Sequence, residues 1–116
     1  MKLRRKLFGS EVASCEYVFQ AKAGRRRRVL ARIGKPYRES SRGWACPVEI
    51  RGFEPRYPDA RGVDSMQALC LATWLIRSRF EDFIAKGGRV FDAQDGSEWG
   101  ARGVMATFGP VSGGAA

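Results

Sequence analysis

The chain contains no histidine. That absence removes the commonest general base, the usual activator of a serine or cysteine nucleophile and the commonest transition-metal ligand together. Catalysis would fall to carboxylates or lysines, yet no close pair of acids sits in an apolar setting that would drive two pKa values apart. Cysteine is scarce as well: Cys15, Cys46 and Cys70 are an odd number at long spacings, which speaks against a complete disulfide framework and against a C-x-x-C metal clip. Each is expected to fill a core position as a small apolar side chain. No apolar run approaches the roughly 18 residues of a membrane span. The opening MKLRRKLFGSE carries the charge of an export signal, but its apolar part stops after Leu7 and Phe8, so a cytoplasmic protein with no membrane contact is expected.

What is present is the composition of a folded domain: 116 residues, 44% hydrophobic and 28% charged, enough for a single core and no second module. The expected organisation is a basic N-terminal segment over 1–10, one α+β domain over 11–109 and a disordered tail over 110–116. The net charge of +9 is not spread evenly. Residues 1–35 hold Lys2, Arg4, Arg5, Lys6, Lys22, Arg25, Arg26, Arg27, Arg28, Arg32 and Lys35 against only Glu11 and Glu16, whereas the remainder balances to zero. A positive excess confined to the first third is a local device rather than a general aid to solubility.

CEYVFQAKA alternates, Tyr17, Phe19 and Ala21 opposing Glu16, Val18, Gln20 and Lys22. RVLARIGKP does the same through Val29, Ala31 and Ile33. Two half-buried strands joined by a Gly-Arg turn make a hairpin with GRRRR, Gly24 to Arg28, at its tip. Those arginines read either as a contact for an anionic partner or as a solvated turn that keeps the hairpin from pairing edge to edge. After the polar loop YRESSRG, GWACPVEIRGF reads as one strand with Trp44, Cys46, Val48 and Ile50 on one face. Pro47 cannot donate to a ladder, so this strand should lie at an edge or carry a bulge. Turn-rich EPRYPDARG leads to a helix. Beyond the helix, Arg89 to Phe91 reads as a short strand, Asp95-Gly96 as a turn and Trp99 as a possible return strand.

The helix is expected over Ser65 to Lys86, closed by Gly87-Gly88. Asp64 and Gln67 stand at capping-box spacing. At 100° per residue, Met66, Leu69, Cys70, Ala72, Thr73, Ile76, Phe80, Phe83 and Ile84 form a broad arc that should cover the sheet. Leu71, Trp74 and Leu75 lie on the opposite arc, where three large apolar groups need a cover. That cover is either the tail, through Val104, Met105 and Phe108, or another chain. The fold class is therefore α+β: an antiparallel sheet of three to five strands with one long helix packed on a face.

Two motifs, WACP at Trp44 to Pro47 and GVDSMQALCLA at Gly62 to Ala72, occur in that order about fifteen residues apart. Together they resemble a family of small bacterial proteins of uncharacterised function whose members pair a W-x-C-P strand with a G-V-D-S-x-Q-A-L helix start. The resemblance spans roughly Val29 to Phe91. It implies an α+β fold and no established enzyme activity, and some relatives look like immunity or accessory components encoded beside secreted toxins. The same residues also have folding roles: Gly62 for a positive φ before the helix, Asp64 and Gln67 for its free N–H groups, Trp44 and Cys46 for the core.

Other chemistry is thinly represented. The helix N-terminus would suit an anion, but Asp64 occupies it with its own carboxylate. The glycines lack phosphate-loop spacing. Asp92, Asp95 and Glu98 depart from the spacing of a calcium loop, so no metal and no cofactor is expected. Two functions from different classes follow. In one, a non-catalytic module binds an acidic protein such as a toxin domain, with Arg25, Arg26, Arg27 and Arg28 steering encounter and Leu71, Trp74 and Leu75 anchoring it or a second copy of the chain. In the other, the hairpin and basic start grip nucleic acid through phosphates while Tyr37, Tyr57 or Trp44 stack on bases. An enzyme working through carboxylates is the third and weakest reading.

Overall fold

A computed structural model describes residues 8–41 and 43–100. The elements run β1 (Glu11–Gln20), β2 (Arg26–Gly34), β3 (Tyr37–Ser40), β4 (Gly43–Cys46), β5 (Val48–Arg51), β6 (Ala60–Gly62), α1 (Ser65–Ala85), β7 (Arg89–Asp92) and β8 (Glu98–Trp99). They form a five-stranded sheet in the order β5-β2-β1-β7-β8 and a three-stranded sheet in the order β3-β4-β6. Every described pairing is antiparallel. The fold is α+β, with one helix among the described residues, laid across the sheets.

The inward rows follow from alternation. Tyr17 and Phe19 of β1, Val29, Ala31 and Ile33 of β2, and Val48 and Ile50 of β5 are all buried. They stand in register, Tyr17 opposite Val29, Ala31 opposite Ile50 and Ile33 opposite Val48. The long helix lies over this row. Phe80 meets Tyr17 and Phe19 edge-on at 4.9 and 5.0 Å between ring centres, and Phe83 stacks on Phe19 at 4.6 Å. Aromatic contacts of this kind add about 0.5–1.5 kcal/mol each beyond simple burial.

The sequence 43–53 is not one strand. Pro47 divides it into β4, the centre of the smaller sheet, and β5, the edge of the larger. Without an N–H, Pro47 ends one ladder, while its carbonyl accepts from Gly34 N at 2.9 Å and ties the next strand to β2. The smaller sheet is completed by β3 and β6, both in segments that read as loops because each is short and polar. Residues Ala45 through Ile50 are therefore buried on both faces rather than one, Glu49 included.

The helix starts as the capping pattern requires: Asp64 accepts from Gln67 N at 2.8 Å, and Gln67 Oε1 accepts from Val63 N at 2.7 Å. It ends with Gly87 at φ +93, where Gly88 N bonds to Phe83 O and Gly87 N to Ile84 O, the paired bonds of a left-handed glycine stop. Gly62 serves a different purpose from the one expected. It is not among the residues with positive φ, but a Cβ there would stand 2.6 Å from Ala68 N, so its lack of a side chain lets β6 touch the first helical turn. That approach rotates the helix. Ala68, Ala72, Ile76, Arg77 and Phe80 are buried, while Met66, assigned to the sheet by periodicity, is 68% exposed and Cys70 is exposed too. Cys15 is likewise exposed, and only Cys46 fills the core as expected.

Candidate functional site

The turn of the first hairpin is formed by Ala21 to Gly24, with Gly24 N donating to Ala21 O at 2.8 Å and Ala23 at φ 57. The arginines therefore do not form the tip. Arg26, Arg27 and Arg28 belong to β2 and pair with Gln20, Phe19 and Val18 of β1; only Arg25 lies in the connection. Regular pairing persists because the two strands supply matched backbone donors and acceptors up to the turn, whatever the side-chain charge.

Strand alternation then sorts the four side chains. Arg27 lies on the helix side, its guanidinium carbon 5.7 Å from the centre of the Phe53 ring. Arg26 and Arg28 point to the opposite face. There Arg26 stands 4.2 Å over Phe91 of β7, whose other neighbour is Arg89 at 5.1 Å. Arg89 is a member of this cationic end that sequence reading did not assign. It arrives through the pairing of β7 with β1, which sets it opposite Gln20, a contact across sixty-nine positions with no local signature. Arg89 is bonded to Glu98 at 2.7 and 2.9 Å, which holds the Glu98 carboxyl below its usual pKa. Arg25, Arg26, Arg27 and Arg28 are all exposed, and none forms an ion pair among the described residues.

The apolar residues assigned to partner binding are elsewhere. Trp74 is 44% and Leu71 39% exposed, joined by Met66 and by Val63 just before the helix, whereas Leu75 turns inward and packs on the core. The arginine end adjoins the helix C-terminus, where Lys22 touches Gly87 and Phe53 contacts Phe83. Trp74 is eleven residues earlier, about 16 Å along the axis, and on the side of the helix turned from the sheet. The structure does not bring these two surfaces together. Tail residues Val104, Met105 and Phe108, the basic positions Lys2 to Lys6 and the tail over 110–116 lie outside the described residues.

The aromatic residues considered for base stacking are engaged within the fold. Tyr37 donates to Asp59 at 2.6 Å, with burial and then that carboxylate pushing its hydroxyl up to about 12. Tyr57 donates to Glu54, and Trp44 packs on the core beneath Arg38. Asp92, Asp95 and Glu98 do not converge on an ion either: Asp92 accepts from Gln94 N and Asp95 N, Asp95 from the backbone and hydroxyl of Ser97, and Glu98 from Arg89.

The site is thus a cationic strand end with two guanidinium groups lying over the protein's own rings, Arg26 over Phe91 and Arg27 over Phe53. No curated protein and no solved structure matches the chain. Residues 15–101, three quarters of its length and inclusive of both hairpin strands beyond Ser14, match the model of a family described as a domain of unknown function, DUF6968, and the chain belongs to that family.

Proposed function

We propose that the chain is a non-catalytic protein-binding module that takes an acidic partner at the arginine-bearing end of the β1–β2 hairpin. One observation carries this. Arg32, Arg51, Arg56, Arg61, Arg77, Arg79, Lys86 and Arg89 each form an ion pair with a carboxylate of the protein itself, while the four consecutive arginines at 25–28 form none among the described residues, Arg26 alone feeling Glu98 at longer range. Charge that the fold leaves uncompensated over one short stretch speeds encounter with an opposite charge and fixes its orientation. Stacking of Arg26 and Arg27 on Phe91 and Phe53 restricts those side chains before binding and so lowers the entropy cost of the contact. The finer form of the reading, an immunity-like or accessory protein facing a bacterial toxin in the cytoplasm, is supported by the motif resemblance and by three unpaired cysteines.

Nucleic acid is the second reading, favoured by Arg26 and Arg28 lying on one sheet face about 7 Å apart. Against it, Glu49 and Glu98 interrupt the cations along that face, and the aromatic side chains that would stack on bases are engaged within the fold, Tyr37 by Asp59, Tyr57 by Glu54 and Trp44 by the core. The test is affinity purification from native cells with the intact chain and with Arg25→Ser/Arg28→Ser, reading protein and nucleic acid separately. Recovery of a defined acidic protein by the intact chain alone supports the proposal. Bulk nucleic acid lost with the arginines, and lost steeply with salt, would replace it with the second reading; identical recovery from both chains overturns both.

A further inference from the structure

The larger sheet is not closed along its whole length. β7 pairs only with Tyr17 to Gln20 of β1, so the first half of β1 has β2 on one side and, among the described residues, no strand on the other. Glu11 through Glu16 are exposed. Between this open half and the helix lies a cleft of about 270 Å³ walled by Cys15, Tyr17, Ala31, Ile33, Thr73 and Ile76.

One polar group in it is unexplained by the fold. Tyr17 is wholly buried, its ring held edge-on against Phe80 at 4.9 Å and Trp99 at 5.3 Å, yet its hydroxyl has no hydrogen-bond partner of normal geometry. Buried hydroxyls are seldom left so. The neighbouring polar group is the Cys15 thiol, a weak acceptor and the next side chain on the same face of β1. Burial holds the Tyr17 phenol far above its ordinary pKa, so it remains a donor at physiological pH. Among the described residues the cleft has no free charge to match a charged ligand: Arg32, at its wall, is engaged by Glu49 and Glu11 and stands over Phe8.

We propose that this cleft is a binding site for a small neutral apolar molecule bearing one carbonyl-type oxygen, which accepts from the Tyr17 hydroxyl once the Cys15 side chain turns aside. A cavity of about 150 Å³ is known to take benzene, so the space here admits roughly ten heavy atoms. The site is independent of the arginine end and serves a different kind of ligand. Cys15 is a wall of the cleft and Cys70 is not, although both are exposed, so each thiol reports separately.

The test uses the full chain and methyl hexyl ketone as the probe, with alkylation of Cys15 and Cys70 by N-ethylmaleimide followed by mass spectrometry. At about ten times its dissociation constant, the ketone should slow Cys15 modification roughly tenfold and leave Cys70 unchanged. Tyr17→Phe, which keeps the ring and therefore the packing, should weaken ketone affinity about fivefold, leaving about threefold protection at the same concentration, with an unaltered circular dichroism spectrum. Ala13→Trp, at an exposed position on the cleft wall, should fill the space and abolish protection. Equal Cys15 rates with and without ketone, or equal protection in Tyr17→Phe, overturn the proposal. So does a Cys15 unreactive in the free chain, with a dimeric mass identifying a second copy as the cover.

Discussion

The guanidinium carbon of Arg26 stands 4.2 Å from the centre of the Phe91 ring, and Phe91, on the sheet face turned from the helix, is only 5% exposed. An arginine assigned to a partner therefore also shields an aromatic ring of its own protein. Arg26→Ser should lower stability by about 0.5–1 kcal/mol, measured by chemical denaturation, in addition to weakening the proposed contact. Arg28→Ser, which uncovers no ring among the described residues, should stay within about 0.5 kcal/mol of the parent while losing affinity. Equal stability losses would show that both side chains serve the fold.

Glu54 accepts from Arg79 at 2.9 and 2.7 Å and from Tyr57, and the Arg79 bonds, foremost among these contacts, hold its carboxyl below the usual carboxylate range. Its folded pKa lies below its unfolded one, so the stabilisation is complete above the ordinary carboxylate pKa and is lost as pH falls through the depressed value. Glu54→Gln should cost about 1–2 kcal/mol at neutral pH. The gap between variant and parent should close below about pH 4, as followed by urea denaturation at a series of pH values. A constant gap across that range would assign the loss to packing.

Adjacent helix positions should respond in opposite ways. Trp74→Glu, at a residue 44% exposed, should leave the melting temperature within a few degrees of the parent, whereas Leu75→Glu, packed on the core, should cost about 3 kcal/mol or more through an unpaired buried charge. Thermal melts by circular dichroism distinguish them. Unfolding of Trp74→Glu would mean that this side of the helix is interior.

Gly62→Ala places a Cβ 2.6 Å from Ala68 N and 2.9 Å from the Gln67 side chain. Separation of β6 from the helix should cost about 1–3 kcal/mol. Gly100→Ala meets nothing within 4 Å and should be neutral within about 0.5 kcal/mol. Paired denaturation curves give the comparison.

Much of the fold was legible in the chain because the signals were local. Alternation placed Tyr17, Phe19, Val29, Ala31 and Ile33 inward, and the helix begins after Asp64 and stops before Gly87 as its caps dictate. The candidate site was less legible. The four arginines stand out in any reading, but their sorting onto two sheet faces, with Phe53 and Phe91 beneath them, depends on a register that continues to Gln20 and Arg26.

Periodicity and capping act over one or two turns, and so the hairpin, the helix and the location of the excess charge needed only the residues themselves. Contacts between distant segments decided the rest. Pairing of Trp44 with Gly62 pulled half of an apparently continuous strand into a second sheet, and the close approach at Gly62 turned Met66 and Cys70 outward. The short reach of β7 along β1 left the Tyr17 hydroxyl beside an open cleft. Strand partners and helix rotation are set by which surfaces bury one another best, a comparison made over the whole chain that no local window contains.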